Sequence, residues 1–257
     1  MNRVQKAFEK KPIFIPFLTA GYPDVDTFID LVVLLAEEGA GIVEIGVPFS
    51  DPVADGKVIQ RASQKMLDAG ISMDQVFVMI QKIRERTDVP IVLMSYYHMV
   101  MCKGVKSFVK RCSECKVDGL AIPDLTIEES DELLKECDEE NIAMTFFLSQ
   151  TTPNARMKMI IQKTTGFLYY VSRMGVTGRG ELDVEHIQQR LNMIKFQTET
   201  PLALGFGISN PKDAKIFAKE SDGIIVGSSL IEQIDKFRED ENFFRYIRNF
   251  VQPFVKC

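Results

Sequence analysis

The chain has 257 residues, 46% hydrophobic and 26% charged, which excludes a disordered or fibrous polymer and leaves material for one large core or two small ones. A formal net charge of -5 with interspersed signs argues against a nucleic-acid surface, and no apolar run approaches the length of a membrane span. Five cysteines are unsuited to a complete disulfide framework, and with only His98 and His186 beside it the Cys112–Cys115 CxxC lacks partners for a closed metal site, so no metal is expected.

Residues 1–11 carry charges without a continuous apolar stretch, which is not the pattern of a secretory signal. Val4 and Phe8, four apart, predict a short helix with one buried stripe, and the cytoplasm is the expected compartment. The first strand-like run is PIFIPFLTA, residues 12–20, ended by Gly21, Pro23 and Asp24; a helix follows with Phe28, Leu31, Val32 and Leu35 inward. The run GIVEIGVP starts at Gly41, and helical segments fill 58–86. PIVLMSYY starts at Pro90 and precedes a helix near 105–115, where Lys106, Lys110 and Arg111, with Lys103 just before it, form a solvated face. GLAIP from Gly119 precedes a helix with Leu133, Leu134 and Cys137 inward.

The second half repeats the unit. IAMTFFLS from Ile142 precedes a helix near 154–162, and FLYYVS from Phe167 precedes one carrying Val184, Ile187, Leu191 and Ile194. PLALGFG from Pro201 precedes a helix over Ile216 and Phe217. GIIVG from Gly223 runs into a short helix with Leu230 and Ile234, and a helix over 243–251 closes the chain. Strands joined through helices are parallel and buried on both faces, which explains the nearly unbroken apolar runs. Eight such units at about 250 residues predict an α/β protein, a single TIM-type (β/α)8 barrel spanning residues 1–257 with extra N-terminal and loop helices. The rival is an open doubly wound sheet, which would favour a glycine-rich dinucleotide turn after the first strand, where this chain has AGYPD.

In such a barrel the site lies at the C-terminal strand ends. Alternation along GIVEIGVP puts Val43, Ile45 and Val47 outward against helices and Ile42, Glu44 and Gly46 inward. An interior carboxylate is costly unless paired, so Glu44 is either a structural tie to a basic residue or a general acid/base with a raised pKa. In the following PFSDPVADG either aspartate could simply fix the turn; Asp51 beside Pro52 fits that role best, and Asp55 beside Gly56 is the candidate to face the pocket. LGFGISN places Gly207 and Ser209 after the seventh strand, and VGSSL places Gly227, Ser228 and Ser229 at a helix start after the eighth. Helix N-termini with glycine offer unpaired N–H groups to an anion, though Gly-Ser is also an ordinary cap. Phe17, Tyr96, Tyr169 and Phe206 fall near four different strand ends, as core or as the wall of a flat apolar pocket. A ligand with a phosphate at one end and an aromatic group at the other fits this layout.

The runs FLTAGYPD, EIGVPFSDPVADG, YYVSRMGVTG, GFGIS and VGSS closely resemble, in order and spacing, the tryptophan synthase alpha subunit family, from about Phe14 to Ile231. The resemblance implies a lyase that cleaves indole-3-glycerol phosphate to indole and glyceraldehyde 3-phosphate in tryptophan biosynthesis. It assigns Glu44 as the catalytic proton donor, Asp55 as acceptor of the indole N–H, and Tyr169 as a neighbour of both glutamate and indole. It gives Gly178, Gly207, Gly227 and Ser228 to the phosphate, Phe17, Tyr96 and Phe206 to the indole pocket, and Thr177 to a mobile loop touching the aspartate. It implies no cofactor in this chain and a pyridoxal-phosphate beta subunit as partner in an α2β2 complex. Lys57, His98 and Thr126 depart from the family pattern, at places facing that partner or the mobile loops. A regulatory subunit without activity and another phosphate-binding barrel isomerase are the competing readings.

Overall fold

Eight parallel strands close in chain order into a barrel in this computed structural model, which describes residues 2–171, 184–205 and 207–257. They are β1 Ile13–Thr19, β2 Val43–Gly46, β3 Ile91–Met94, β4 Gly119–Ala121, β5 Ala143–Ser149, β6 Leu168–Val171, β7 Leu202–Gly205 and β8 Gly223–Val226. β8 returns to pair with β1, so no edge remains and the open-sheet rival falls.

Twelve α-helices surround the strands among the described residues: α1 Arg3–Ala7, α2 Val25–Glu37, α3 Lys57–Asp68, α4 Met73–Arg84, α5 Tyr97–Lys103, α6 Val105–Glu114, α7 Asp131–Glu139, α8 Asn154–Lys163, α9 Val184–Lys195, α10 Pro211–Phe217, α11 Ser228–Phe237 and α12 Phe243–Val255. Local chemistry sets several starts. Asp24 accepts from the Thr27 N–H at 3.0 Å ahead of α2, and Ser72 and Gln75 form a reciprocal capping box on α4. Asn210 caps α10, with Pro211 pre-set for the first turn. Two boundaries depart from the sequence expectation. The run through PIVLMSYY breaks after Met94, because Tyr96 turns into the N-cap of the additional helix α5. The last helix passes Pro253 to reach Val255, which lets Phe254 stack on Phe14 with ring centroids 5.7 Å apart.

Period-two alternation divides the apolar residues between two cores. Val43, Ile45, Val47, Ile91, Leu93, Leu202 and Leu204 pack outward against the helices. Ile15, Phe17, Ile42, Val92, Met94, Ala121, Ala143, Tyr169, Ala203 and Ile225 fill the barrel. The N-terminal mouth is stoppered by α1 and the 3-10 turn Phe8–Lys10 that follows it: Val4 and Phe8 belong to the interior core, and Phe8 lies 5.6 Å from the Phe167 ring. A Cβ at Gly223 would sit 3.1 Å from the Phe8 ring, so the missing side chain makes room for the stopper. Phe8→Ala empties this plug and is expected to lower stability by about 3–5 kcal/mol, measured by denaturant unfolding, while leaving the opposite mouth intact.

Two Asp-Gly pairs brace the same mouth in the same way. Asp118, before β4, accepts the Ile91 N–H of β3 at 2.8 Å and meets Arg84 and Arg3. Asp222, before β8, accepts the Leu202 N–H of β7 at 3.0 Å and meets Lys11 and Lys195. Each buried carboxylate thus ties the start of one strand to its neighbour and is compensated by cations.

Candidate active site

At the C-terminal mouth lies a cavity of about 600 Å³. Its walls come from β1, the β2–α3 loop, β6, the β7–α10 turn and the start of α11, including Phe17, Asp55, Tyr169, Gly207, Gly227 and Ser228. Phe147, Met94 and Ile225 complete the apolar wall. All three occupy inward positions of their strands, so the alternation applied to Glu44 would also have found them.

Glu44 is fully buried on the inner face of β2, with Phe17 of β1 as its register partner. No basic side chain pairs with it among the described residues, and the Tyr169 hydroxyl is the polar group beside its carboxyl. Burial pushes its carboxyl up to about 8; the negative Asp55 adds to the rise, and the Tyr169 hydroxyl beside it opposes. Its neighbours Phe17, Asp55 and Tyr169 form cavity wall, while the Glu44 carboxyl sits sealed behind them.

Asp51 and Asp55 separate as their surroundings suggest. Asp51 is exposed and bonded to Ser50, whereas Asp55 is buried. The Tyr96 hydroxyl donates to Asp55 Oδ2 at 3.1 Å and accepts the Ala54 N–H at 3.1 Å, clamping the loop just before Gly56 starts α3. Phe49 stacks on Tyr96 at 4.8 Å. Tyr96 therefore stands behind the aspartate, holding it, and contributes no surface to the cavity. Burial raises Asp55 to about 6, with the Tyr96 bond pulling the other way.

Two glycines within strands shape the walls. A Cβ at Gly46 would come within 2.4 Å of the Phe17 ring, and one at Gly205 within 2.5 Å of the Tyr169 ring. Each ring occupies the space its neighbour vacates, a role that an isolated strand glycine signals only as a close approach. On the β7–β8 side, Gly207 adopts φ +107°, a conformation L side chains rarely take. Gly227 is the N-cap of α11 and makes no side-chain cap bond; Ser229 reaches the Ile208 carbonyl at 3.5 Å. The N-terminal end of α11, with the dipole and free N–H groups of a helix start, thus lines the cavity at Gly227, Ser228 and Ser229. Thr177, Gly178 and Phe206 lie outside the described residues.

Among the described residues, no three His, Cys, Asp or Glu side chains gather as a metal site, and no helix is long and apolar enough to cross a membrane. Cys112 and Cys115 are buried at the end of α6, where burial pushes both thiols up.

The family model described as tryptophan synthase alpha chain matches residues 4–256. Curated relatives named tryptophan synthase alpha chain include one from a Thermoanaerobacter species, 40% identical over 98% of this chain and 97% of its own length. Another, from Alkaliphilus metalliredigens, is 39% identical over 98% and 94%. The solved alpha subunit from Legionella pneumophila str. Paris superposes with a TM-score of 0.91 at 31% identity, covering 100% of this chain and 98% of that one. A chain of the tryptophan synthase α2β2 complex from the hyperthermophile Pyrococcus furiosus gives 0.89 at 32% identity, covering 96% and 99%. Barrel, sealed glutamate and full-length similarity converge: this chain belongs to the tryptophan synthase alpha chain family.

Proposed function

We propose that the cavity cleaves indole-3-glycerol phosphate, with the two buried carboxyls in opposite protonation states. The observation that carries this reading is two buried carboxyls in unequal surroundings, Glu44 wholly enclosed in the barrel and Asp55 at the cavity wall with a Tyr96 hydrogen bond. Burial raises Glu44 to about 8, so near pH 7 it keeps its proton, while Asp55, at about 6, is ionised. One is an acid and the other a fixed negative charge. The phosphate sits at Gly207, Gly227 and Ser228, where α11 offers N–H groups. The indole ring lies against Phe17, Phe147 and Tyr169, with its N–H toward Asp55. Glu44 turns from its sealed position to protonate the ring carbon bearing the side chain. The cation so formed is stabilised by ionised Asp55. Glu44, now a carboxylate, takes the side-chain hydroxyl proton and is restored as the acid, while the carbon–carbon bond breaks, its electrons pass into the ring and the side chain leaves as an aldehyde. Indole and glyceraldehyde 3-phosphate result, without a cofactor in this chain.

By analogy with the Pyrococcus furiosus complex, the partner is a beta subunit, to which pyridoxal phosphate belongs. Val53 and Met101, exposed at 73% and 59%, give the rim of the β2–α3 loop and α5 an apolar surface for such a partner. Lys57, His98 and Thr126 are all exposed and none lines the cavity, so these departures bear on docking more than on the cavity wall. The reading is tested by indole release from indole-3-glycerol phosphate with and without a cognate beta subunit. Absence of indole in both, with turnover of another sugar phosphate, would sink it.

Two expectations follow from the charge split. Activity is bell-shaped in pH: it falls below about 6 as Asp55 gains a proton and above about 8 as Glu44 loses one, checked by kcat/KM from pH 5 to 9. Tyr96→Phe removes the bond that holds Asp55 down, so the acid limb moves to higher pH and kcat/KM at pH 6 drops several-fold. An acid limb unmoved by that substitution would show that Tyr96 does not set the aspartate's charge.

A further inference from the structure

α11 and α3 meet along a polar seam beside the cavity, and each helix begins at one half of the site. α3 starts at Gly56, directly after Asp55, whose carbonyl accepts from Gln60 Nε2 at 2.8 Å. α11 starts at Gly227 and Ser228. Ser228, Glu232 and Asp235 stand at i, i+4 and i+7, so they share one face of α11. The upper part of this face, Ser228 and Glu232, lines the cavity. One turn further along, the Asp235 carboxylate forks. Oδ1 accepts from the Tyr22 hydroxyl and Oδ2 from the Arg61 guanidinium of α3.

Tyr22 lies in the turn after β1 and is 2% exposed, with Lys65 of α3 over its ring at 5.1 Å from the centroid. Burial first, and then the bond to Asp235, push its hydroxyl up to about 12, so it remains a donor throughout the neutral range. The Arg61 arm is largely exposed, and such a pair adds little by itself. The Tyr22 arm is different: a buried hydroxyl bonded to a carboxylate is strong and directional.

We propose that Asp235 is a positioning residue. By joining Tyr22 and Arg61 it sets the start of α11, and so the Gly227–Ser228 anion grip, at a fixed distance from Asp55. It acts on how tightly phosphate is held and leaves the bond-breaking step alone. The inference rests on the reading of Gly227 and Ser228 as the phosphate end.

The test compares full-length wild type with Asp235→Ala, Asp235→Asn and Tyr22→Phe. Measured are KM and kcat for indole-3-glycerol phosphate, and inhibition by inorganic phosphate and by indole as separate probes of the two ends. Asp235→Ala is expected to raise KM and weaken phosphate inhibition by about tenfold, with kcat and indole inhibition within about twofold. Asp235→Asn, which still accepts from Tyr22, recovers part of the loss, and Tyr22→Phe shifts the same two quantities in the same direction. Should Asp235→Ala fail to fold, Tyr22→Phe, which deletes one oxygen, decides alone. Unchanged phosphate inhibition, or equal weakening of phosphate and indole, overturns the positioning role. A wild type that turns over substrate but ignores phosphate overturns the assignment of the grip, and the inference with it.

Discussion

Glu44→Gln is expected to abolish nearly all turnover while making the protein more stable. Gln keeps the shape of a protonated glutamate but has no proton of suitable acidity to transfer, so kcat falls by about 10²–10⁴, the usual share of a positioned acid. Stability moves the other way. The folded protein holds the Glu44 proton up to about 8, against an ordinary 4.5, so between those values it binds more protons than the unfolded chain. Wild-type stability therefore declines as pH rises from about 4.5 to about 8. A neutral amide avoids that loss. The melting temperature of Glu44→Gln should exceed wild type by little at pH 5 and by more at pH 8.5. Near-normal kcat, or a stability difference that shrinks as pH rises, would remove Glu44 from the role of buried acid.

Much of this was legible from residues alone, for a physical reason. Parallel strands covered by helices require apolar runs, and alternation within GIVEIGVP leaves a single orientation for Glu44; the barrel places it there, sealed. The stripe of Val4 and Phe8 marked a helix, though its function as a stopper depends on Gly223, which is distant in sequence. What eluded the sequence is what depends on contacts across strands. Tyr96 looked like a pocket wall, yet its hydroxyl reaches 41 residues back to Asp55, and no local period encodes that bond. Gly46 and Gly205 read as ordinary strand residues until the Phe17 and Tyr169 rings are seen in the space beside them. The paired roles of Asp118 and Asp222 likewise appear only when the register of β3 with β4 and of β7 with β8 is known.

Asp55→Asn tests the coupling between the carboxyls more sharply than any change at Glu44. Asn keeps the size of the side chain and an oxygen to accept from Tyr96, so the loop before α3 should hold its place. The negative charge is lost, and with it the stabilisation of a cationic ring; kcat is expected to fall on the order of 10²-fold or more. A second effect follows from geometry. Burial is the largest cause of the raised Glu44 value and the Asp55 charge the next, so removing that charge brings Glu44 partway down from about 8. The residual activity of Asp55→Asn should therefore lose its acid limb near pH 6, because no carboxyl at 55 remains to titrate. Its alkaline limb should move to lower pH, because Glu44 now releases its proton sooner. Both shifts are read from kcat/KM against pH in single-turnover conditions, where product release does not mask the chemical step. An alkaline limb that stays in place would mean the two carboxyls do not sense each other's charge, and the division into acid and anion would lose its basis.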